Sequence, residues 1–492
     1  MAEALATTTE LDSAGTGEAT GLVEAMAAGA PAAGPSGPAE PAGSPGRAGR
    51  ASMEIAALES RALTATVWTI VQYGSGQGLR LVNSYVLTRL LVPAAFGQMT
   101  LVTTLIVGIT LLSDIGLAPS VIQSARGDEP GFLNTAWTLQ ALRGGGMWCV
   151  AMLLAWPAAR FYHDPSLLLV LPVLALSTIV TGFNSTNLLT LSRHMGARRL
   201  FFIEFSTQIV ALVVTISWAL YRPSVWALVA GNLASNLYNL ALSHSPLVPG
   251  IRNKFHWERK SLRDILHFGK WIFLGTAFYF FASQADRLYL GKLVPLAALG
   301  VYGIAYQMSD VPRSVINAFA ARVGYPFIAK IAHLPMAEFR KQYLGYRRYT
   351  LLIGAVLLSI MVVFGDLVIL TLYKPAYAAA AWMVPILAIG LWHTLMYQTT
   401  GPVLFSLGKS KYNAVGNAVY CFTMLTAIPL AFHFWHLKGA VWAVAAGDFP
   451  LYCVLQYGST REGVRPLKQD LQMTGVFIAL LALEFGLRHA IH

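Results

Sequence analysis

Twelve long apolar segments follow one another between residues 62 and 458, and they constrain the fold more than any other feature of the sequence. An α-helix needs about 20 mostly apolar residues to cross the hydrocarbon core of a membrane. The chain is 55% hydrophobic and only 12% charged, whereas ordinary soluble domains carry about 25% charged residues. The sequence therefore predicts an all-α, polytopic membrane protein. The segments lie near 62–90, 96–118, 132–157, 166–192, 200–221, 224–244, 266–292, 296–330, 347–372, 379–407, 412–433 and 438–458.

The two ends of the chain differ from this pattern. Residues 1–52 are rich in Ala, Gly, Pro, Ser, Thr and Glu and contain no aromatic residue. Such a segment cannot bury enough apolar surface to offset its ordering entropy, so we predict a disordered tail. It lacks the charged start and apolar run of a signal peptide. Residues 471–487 form a weaker thirteenth candidate span, which contains Glu484 and could instead lie along the membrane interface.

Loop charges predict the orientation of the spans. Nineteen lysines and arginines, Arg347 among them, fall in one set of alternate loops, and six fall in the opposite set. Basic loops remain on the cytoplasmic side. We therefore expect a multi-pass protein of the cell inner membrane with a cytoplasmic N-terminus. Although the net charge is +12, the cations are not clustered on a soluble domain, so no nucleic-acid partner is predicted.

A short motif follows both the first and the seventh predicted span. Residues 91–97 read LVPAAFG, and residues 293–300 read LVPLAALG. Repeats of the same membrane orientation are typical of transporters that bind substrate between their two halves. The motif predicts two six-helix lobes around a central cavity, with 12–13 transmembrane helices in all. The predicted domains are the tail 1–52, the lobes 53–250 and 251–460, and a basic linker with the thirteenth candidate span at 461–492.

Charged residues inside the predicted spans are the candidate functional residues. A charge near the bilayer centre costs several kcal/mol, so it usually faces a bundle interior or a wet cavity. An excess of cations there favours an anionic ligand. The predicted cavity cations are Arg80, Arg143, Lys270, Arg287, Arg313 and Arg322, and the predicted coupling or switch carboxylates are Asp114, Asp286 and Asp310.

Several of these residues also have structural interpretations. Arg80, Lys270 and Arg322 could extend towards the interface on their long side chains. The glycines at 144–146 beside Arg143 could serve only close helix packing.

The adjacent Asp286 and Arg287 point about 100° apart on a helix and each needs another partner, which could make them a structural clamp. Asp310 and Arg313 are three residues apart and can pair. Pro312 between them favours a kink. Asp448, before Pro450, is expected only to accept hydrogen bonds.

No cofactor or metal is predicted. Gly408-Lys409-Ser410 resembles the end of a phosphate-binding loop, but Val403 stands where the first glycine of that motif is required. The histidines lack metal-ligand spacing, and no nucleophile motif of the Gly-x-Ser-x-Gly type is present. The sequence therefore predicts a protein that is not an enzyme.

Six passages resemble one transporter family in order and position. They are residues 90–97, 112–117, 161–165, 192–199, 286–292 and 299–306. Through them, residues 60–460 resemble the Wzx-type oligosaccharide flippases of the multidrug/oligosaccharidyl-lipid/polysaccharide exporter superfamily. The long tail and the thirteenth candidate span depart from the simplest members.

The resemblance implies a flippase that moves an undecaprenyl-diphosphate-linked oligosaccharide to the periplasmic leaflet by alternating access. It implies a cationic cavity, contact with membrane lipid and cooperation with a polysaccharide polymerase and export machinery; we expect a monomer. One alternative is a drug/cation antiporter of the same superfamily, which would favour an acidic or aromatic cavity. A membrane glycosyltransferase or polymerase would need a larger extramembrane loop than the longest internal one here. A peptidoglycan-precursor flippase would be favoured by a fourteenth span.

Overall fold

The computed structural model describes residues 74–491 apart from 77, 125, 195–196, 321–323, 325–326, 329–330 and 332, and the described chain is helical without strands. Its helices are α1 (78–90), α2 (Pro93–Leu112), α3 (Leu117–Gln123), α4 (Pro130–Tyr162), α5 (Leu167–Gly182), α6 (Asn187–Arg193), α7 (Ala197–Tyr221) and α8 (Val225–Ser243). They continue with α9 (Arg259–Leu293), α10 (Leu296–Ser309), α11 (Val311–Phe319), α12 (Met336–Leu372), α13 (Ala380–Ser406), α14 (Lys411–Ala446), α15 (Phe449–Arg461) and α16 (Leu467–Ile491). The predicted tail at 1–52 lies outside the described residues.

The helices confirm an all-α membrane protein and correct several predicted boundaries. Among the described residues, six helical segments are long and apolar enough to cross a membrane, or seven if one bent pair is a single span. That pair is α5 and α6, which bend by 65° within the predicted span 166–192. The interruption predicted after residue 433 is confirmed. Residues 411–446 are two helices joined across a kink at Trp435 and His436, where the backbone angles are not helical. The total of 12–13 spans stays a prediction.

The described chain forms two compact units. One contains Val92–Thr104 and Ala277–His492, and the other contains Leu105–Thr276 with the residues before Val92. The division falls inside α2 and α9, so each of these helices belongs to both units. The lobe boundaries predicted from the sequence stay a prediction.

Close backbone packing defines the second of these units. In α4, a Cβ at Gly144 would lie 2.5 Å from the carbonyl oxygen of Thr178 in α5, so only glycine permits this approach. The Thr178 hydroxyl donates to the Gly144 carbonyl at 3.0 Å. Near the start of α9, Arg126 pairs with Glu258 at 2.9 Å. Hydrogen bonds from Ser261 and Arg126 lower the pKa of the Glu258 carboxyl.

In the first unit, the two copies of the LVP motif pack against each other. A Cβ at Gly97 would lie 1.8 Å from the carbonyl oxygen of Leu296, and a Cβ at Gly300 would lie 2.0 Å from that of Pro93. The starts of α2 and α10 therefore cross with their backbones in contact, which small residues allow in membrane helices.

The thirteenth candidate segment is helix α16, and it lies parallel to α12. The Gln469 side chain donates to the carbonyl of Leu344 at 2.6 Å, and Glu484 accepts a hydrogen bond from Ser359 at 2.8 Å. Near the other end, Arg488 forms an ion pair with Asp366 at 2.7 Å. These contacts extend along most of both helices. They favour the spanning interpretation of 471–487 over a helix that lies along the interface.

Arg347 is fully buried in α12, although the sequence assigns it to a basic loop. Its Nη1 lies 2.5 Å from Oδ1 of Asp470, at the start of α16, and both side chains are almost inaccessible. Nε donates to the Thr399 hydroxyl at 2.9 Å, and Nη2 donates to the Met396 carbonyl at 3.0 Å in α13. The loop assignment of Arg347 was wrong because its partners come from 49 to 123 residues further along the chain.

Removing one member of this pair should destabilise the protein strongly. Arg347→Met leaves the Asp470 carboxylate buried without its cation, and breaking a buried pair in this way costs about 3–5 kcal/mol. Arg347→Met combined with Asp470→Leu should recover most of that stability. Thermal unfolding of the purified protein in detergent measures both effects. Equal unfolding temperatures for the wild type and the single variant would contradict the prediction.

Because α12 and α16 pack in parallel, their C-terminal ends should lie on the same side of the membrane. Single cysteines at Lys374 and Ala490, in a background without Cys149, Cys421 and Cys453, should both react with an impermeant maleimide added from one side of the membrane. Labelling from opposite sides would show that α16 does not span beside α12. A cysteine at Lys409, in the loop before α14, supplies a control for the other side.

Candidate functional site

A row of polar side chains begins on α9 with Asp286 and Arg287. The Tyr302 hydroxyl, on α10, donates to Oδ2 of Asp286 at 2.5 Å, and both residues are buried. Oδ1 of Asp286 is buried without a hydrogen-bond partner among the described residues. Arg287 points elsewhere, as the sequence predicts: it donates to Gln284 at 2.7 Å and lies 4.6 Å from the ring centroid of Tyr306.

The second element of the row is the break between α10 and α11. Asp310 lies at the break, Pro312 follows it, and Arg313 pairs with Asp310 as the i,i+3 spacing predicts. The side chains of the pair are each 27% exposed. The Nε of Arg313 is nevertheless buried without an acceptor in the described part of the chain. The pair thus retains an unused donor.

Tyrosines connect these charges with α13 and α14. Tyr306 interacts electrostatically with both Arg287 and Arg313. On α13, Tyr397 lies within electrostatic range of Arg313, and on α14, Tyr420 lies within range of Arg313 and Asp286. The row is therefore one network inside a single unit, built on five helices, α9, α10, α11, α13 and α14.

Asp448 ends this network, and it accepts hydrogen bonds there as the sequence predicts. It lies between α14 and α15, where its Oδ1 contacts Nε2 of His393 on α13. Its Oδ2 accepts a hydrogen bond from Thr394 at 2.6 Å, and it also interacts with Tyr397. His393 was missed because the two residues are 55 positions apart. The available signal was an ionisable residue near the middle of each of two apolar spans.

Arg143 and Asp114 lie together in the other unit, at the end of α2. Arg143 donates from Nη2 to the Thr110 carbonyl at 2.8 Å and from Nε to the Ser113 carbonyl at 2.9 Å. Asp114 accepts from the backbone N–H of Gly116, which has a positive φ of 65°. A cation at the C-terminal end of a helix is stabilising. These contacts give both residues a structural role at the helix end.

The remaining predicted residues have fewer contacts. Arg80 is exposed on α1. Lys270 belongs to α9, but its side chain lies outside the described part, and Arg322 lies outside the described residues altogether. The structure thus connects Asp286, Arg287, Asp310 and Arg313 and leaves the other predicted residues apart from that network.

Solved structures with a similar fold are transporters. An inward-facing multidrug resistance MATE family transporter of the MOP superfamily aligns with a TM-score of 0.61 at 14% identity, over 82% of this chain and 99% of its own. A MOP superfamily transporter from Pyrococcus furiosus, described by the reverse polarity of its binding pocket, aligns with a TM-score of 0.53 at 14% identity, over 83% and 96%. At this identity the likeness shows the fold: a membrane transporter fold of the MATE type.

Sequence comparison places the chain in one family. Residues 86–381 match the family model described as polysaccharide biosynthesis protein, and the chain belongs to this family. The lipopolysaccharide biosynthesis protein WzxC of Escherichia coli K12 is 24% identical over 280 residues, which are 56% of this chain and 56% of the relative. The teichuronic acid biosynthesis protein TuaB of Bacillus subtilis 168 is 22% identical over 306 residues, 61% and 62% of the two chains. The match thus spans little more than half the length of these relatives.

Loss of the Arg143 guanidinium should destabilise the end of α2. Arg143→Met removes its charge-assisted hydrogen bonds to backbone carbonyls, and such a bond contributes about 1.5–3 kcal/mol. The unfolding temperature of the purified protein should fall. Arg80→Met is the matched control, because that side chain is exposed, and it should leave the unfolding temperature unchanged. Equal unfolding temperatures for both variants would exclude the structural role of Arg143.

Proposed function

We propose that the protein is a flippase for lipid-linked oligosaccharides, which moves an undecaprenyl-diphosphate-linked oligosaccharide from the cytoplasmic to the periplasmic leaflet. The polysaccharide biosynthesis family and the names of the relatives support this class of substrate. The transporter fold supports movement across the membrane rather than chemical conversion. The transported unit would serve exopolysaccharide or O-antigen biosynthesis, with a polysaccharide polymerase as the next component.

Arg313 carries the proposal. Its guanidinium lies at a helix break in an apolar span, paired with Asp310, and its buried Nε lacks an acceptor among the described residues. A guanidinium offers a planar set of donors that binds phosphate oxygens in pairs. A diphosphate can compete with the Asp310 carboxylate for Arg313, because both offer the anionic oxygens that a guanidinium binds. Arg287, held on the face of Tyr306, supplies a second guanidinium for the same group.

The proposed transport cycle is alternating access, in which the anion site opens to one membrane face at a time. The polyprenyl chain remains in lipid, since about 0.8 kcal/mol is gained for each CH₂ group kept out of water. The distribution of basic loops supports an inner-membrane protein with a cytoplasmic N-terminus. Diphosphate binding would then begin at the cytoplasmic face, where such lipid-linked precursors are made.

Arginine substitutions should impair export without impairing insertion. In a strain that lacks its own copy of the gene, Arg287→Ala and Arg313→Ala should each reduce surface polysaccharide at least about tenfold, because each removes a cation proposed to bind the diphosphate. One lost charge-assisted hydrogen bond, worth about 1.5–3 kcal/mol, is enough for that factor. The measurement is surface polysaccharide per amount of the protein in the membrane fraction.

Arg160→Ala is the matched control, because this arginine is exposed in the last turn of α4. It should export normally. Normal export by both test variants would refute the assignment of Arg287 and Arg313 to the anion site. Restored efflux of a cationic dye by the wild-type protein, with no effect on polysaccharide, would instead favour the drug/cation antiporter.

A further inference from the structure

The contact between His393 and Asp448 is the least expected pairing in the apolar part of the chain. His393 lies 13 residues from either end of α13 (Ala380–Ser406), and Asp448 lies at the break between α14 and α15. Their side chains are 15% and 12% exposed. Histidine is the side chain whose charge ordinarily changes between about pH 5 and 8. An ionisable pair within a membrane span is expensive, and such pairs occur in proton relays.

The surroundings of the pair contain polar groups from several helices. On α13, Thr394 and Tyr397 face Asp448, and His393 is the only charged or titratable residue of that helix besides its tyrosine. On α14, Tyr420 interacts with Asp448. On α15, the ring of Phe449 meets the His393 ring edge-on at 5.6 Å.

The charges beyond the pair belong to the Arg313 site. Tyr397 interacts with both Asp448 and Arg313, and Tyr420 interacts with Asp448, Arg313 and Asp286. Asp310 completes the Arg313 site from the α10–α11 break. The two tyrosines thus interact with both the histidine–aspartate pair and the proposed anion site, all within one unit.

The charge balance of this network depends on His393. Its two arginines, Arg287 and Arg313, are opposed by three carboxylates, those of Asp286, Asp310 and Asp448. With His393 neutral, the network has one negative charge more than it has positive charges. A proton on His393 makes the two equal. An anion should therefore bind more tightly to the protonated form, and by reciprocity anion binding should favour proton uptake.

We propose that His393 and Asp448 form a proton-binding site that controls the affinity of the Arg313 site for its anionic substrate. Nε2 of His393 faces Asp448, so the arriving proton binds at Nδ1, and the pair changes from one negative charge to zero. No other bond forms or breaks. This proposal rests on the proposed function only in one respect, which is the identity of the anionic substrate.

The first experiment needs no substrate. Potentiometric titration of the purified full-length protein between about pH 5 and 8 is compared for the wild type and His393→Gln. The variant should bind one proton fewer. Superimposable curves would overturn the proposal, since His393 would then keep one protonation state. Asp448→Asn is the second variant, and it should shift the same proton to a different pH. If the wild-type titration changes when sodium replaces potassium, the pair binds a metal cation. That result would also overturn the proposal.

The second experiment measures the link to anion binding with geranyl diphosphate, a short polyprenyl diphosphate. Calorimetry in two buffers of different ionisation enthalpy gives the protons taken up per ligand. The wild type should take up about one proton more per ligand than His393→Gln. At low pH it should also bind the ligand at least about fivefold more tightly than that variant does, which is the lower end of the usual coupling between two sites. The ligand's own titration is common to both proteins. His433→Gln changes an exposed histidine just before the kink in α14; it is the control and should match the wild type.

The outcomes separate the two proposals. Equal proton uptake by the wild type and His393→Gln, with binding in both, would overturn the control of affinity by this pair. No binding of geranyl diphosphate to the wild type, with the proton still found on His393, would count against the diphosphate substrate and support the proton site. A transport cycle that uses this proton would require a path for the proton between His393 and water.

Discussion

A charge removed from water is stable only beside a partner, and this constraint organises the interior of the protein. Arg347 has Asp470, Arg313 has Asp310, Arg488 has Asp366, and Asp448 has His393. Three of these pairs join helices that are far apart in sequence. Apolar surfaces alone give membrane helices little preference for one neighbour or one register over another. The charged pairs therefore determine which helices are neighbours and how far each is shifted along the other.

Two of the three carboxylates of the network lie where helices are interrupted. Asp310 follows α10, and Asp448 precedes α15. Asp114 likewise follows α2 in the other unit. A broken helix leaves backbone groups and partial charges in the middle of a span, and transporters use such breaks to bind ions and substrates. The same breaks let a helix half change its direction, so the groups that would bind a ligand are also those that a change of conformation would move.

The sequence was sufficient for those features that depend on neighbours along the chain. The apolar segments predicted the helices, and the i,i+3 spacing predicted the pairing of Arg313 with Asp310. Features that depend on distant partners were missed. Arg347 is charged and borders a basic loop, so only the position of Asp470 reveals that it is buried. His393 stands out only as an ionisable residue in an apolar span, and its pairing depends on Asp448 from another helix. The interruption predicted after residue 433 is the kink at Trp435 and His436, because the polar residues near it end the local apolar run.

The crossing of α2 and α10 at Gly97 and Gly300 bears on how the repeated motif could change over time. Each glycine occupies the space that a methyl group on the other helix would need. A larger residue in one copy therefore displaces the backbone of the other copy, and a later change there cannot restore the contact, since glycine is already the smallest residue. The two copies of the motif pack against each other. Their sequences can therefore diverge more freely at other positions than at Gly97 and Gly300, where the helices are in contact.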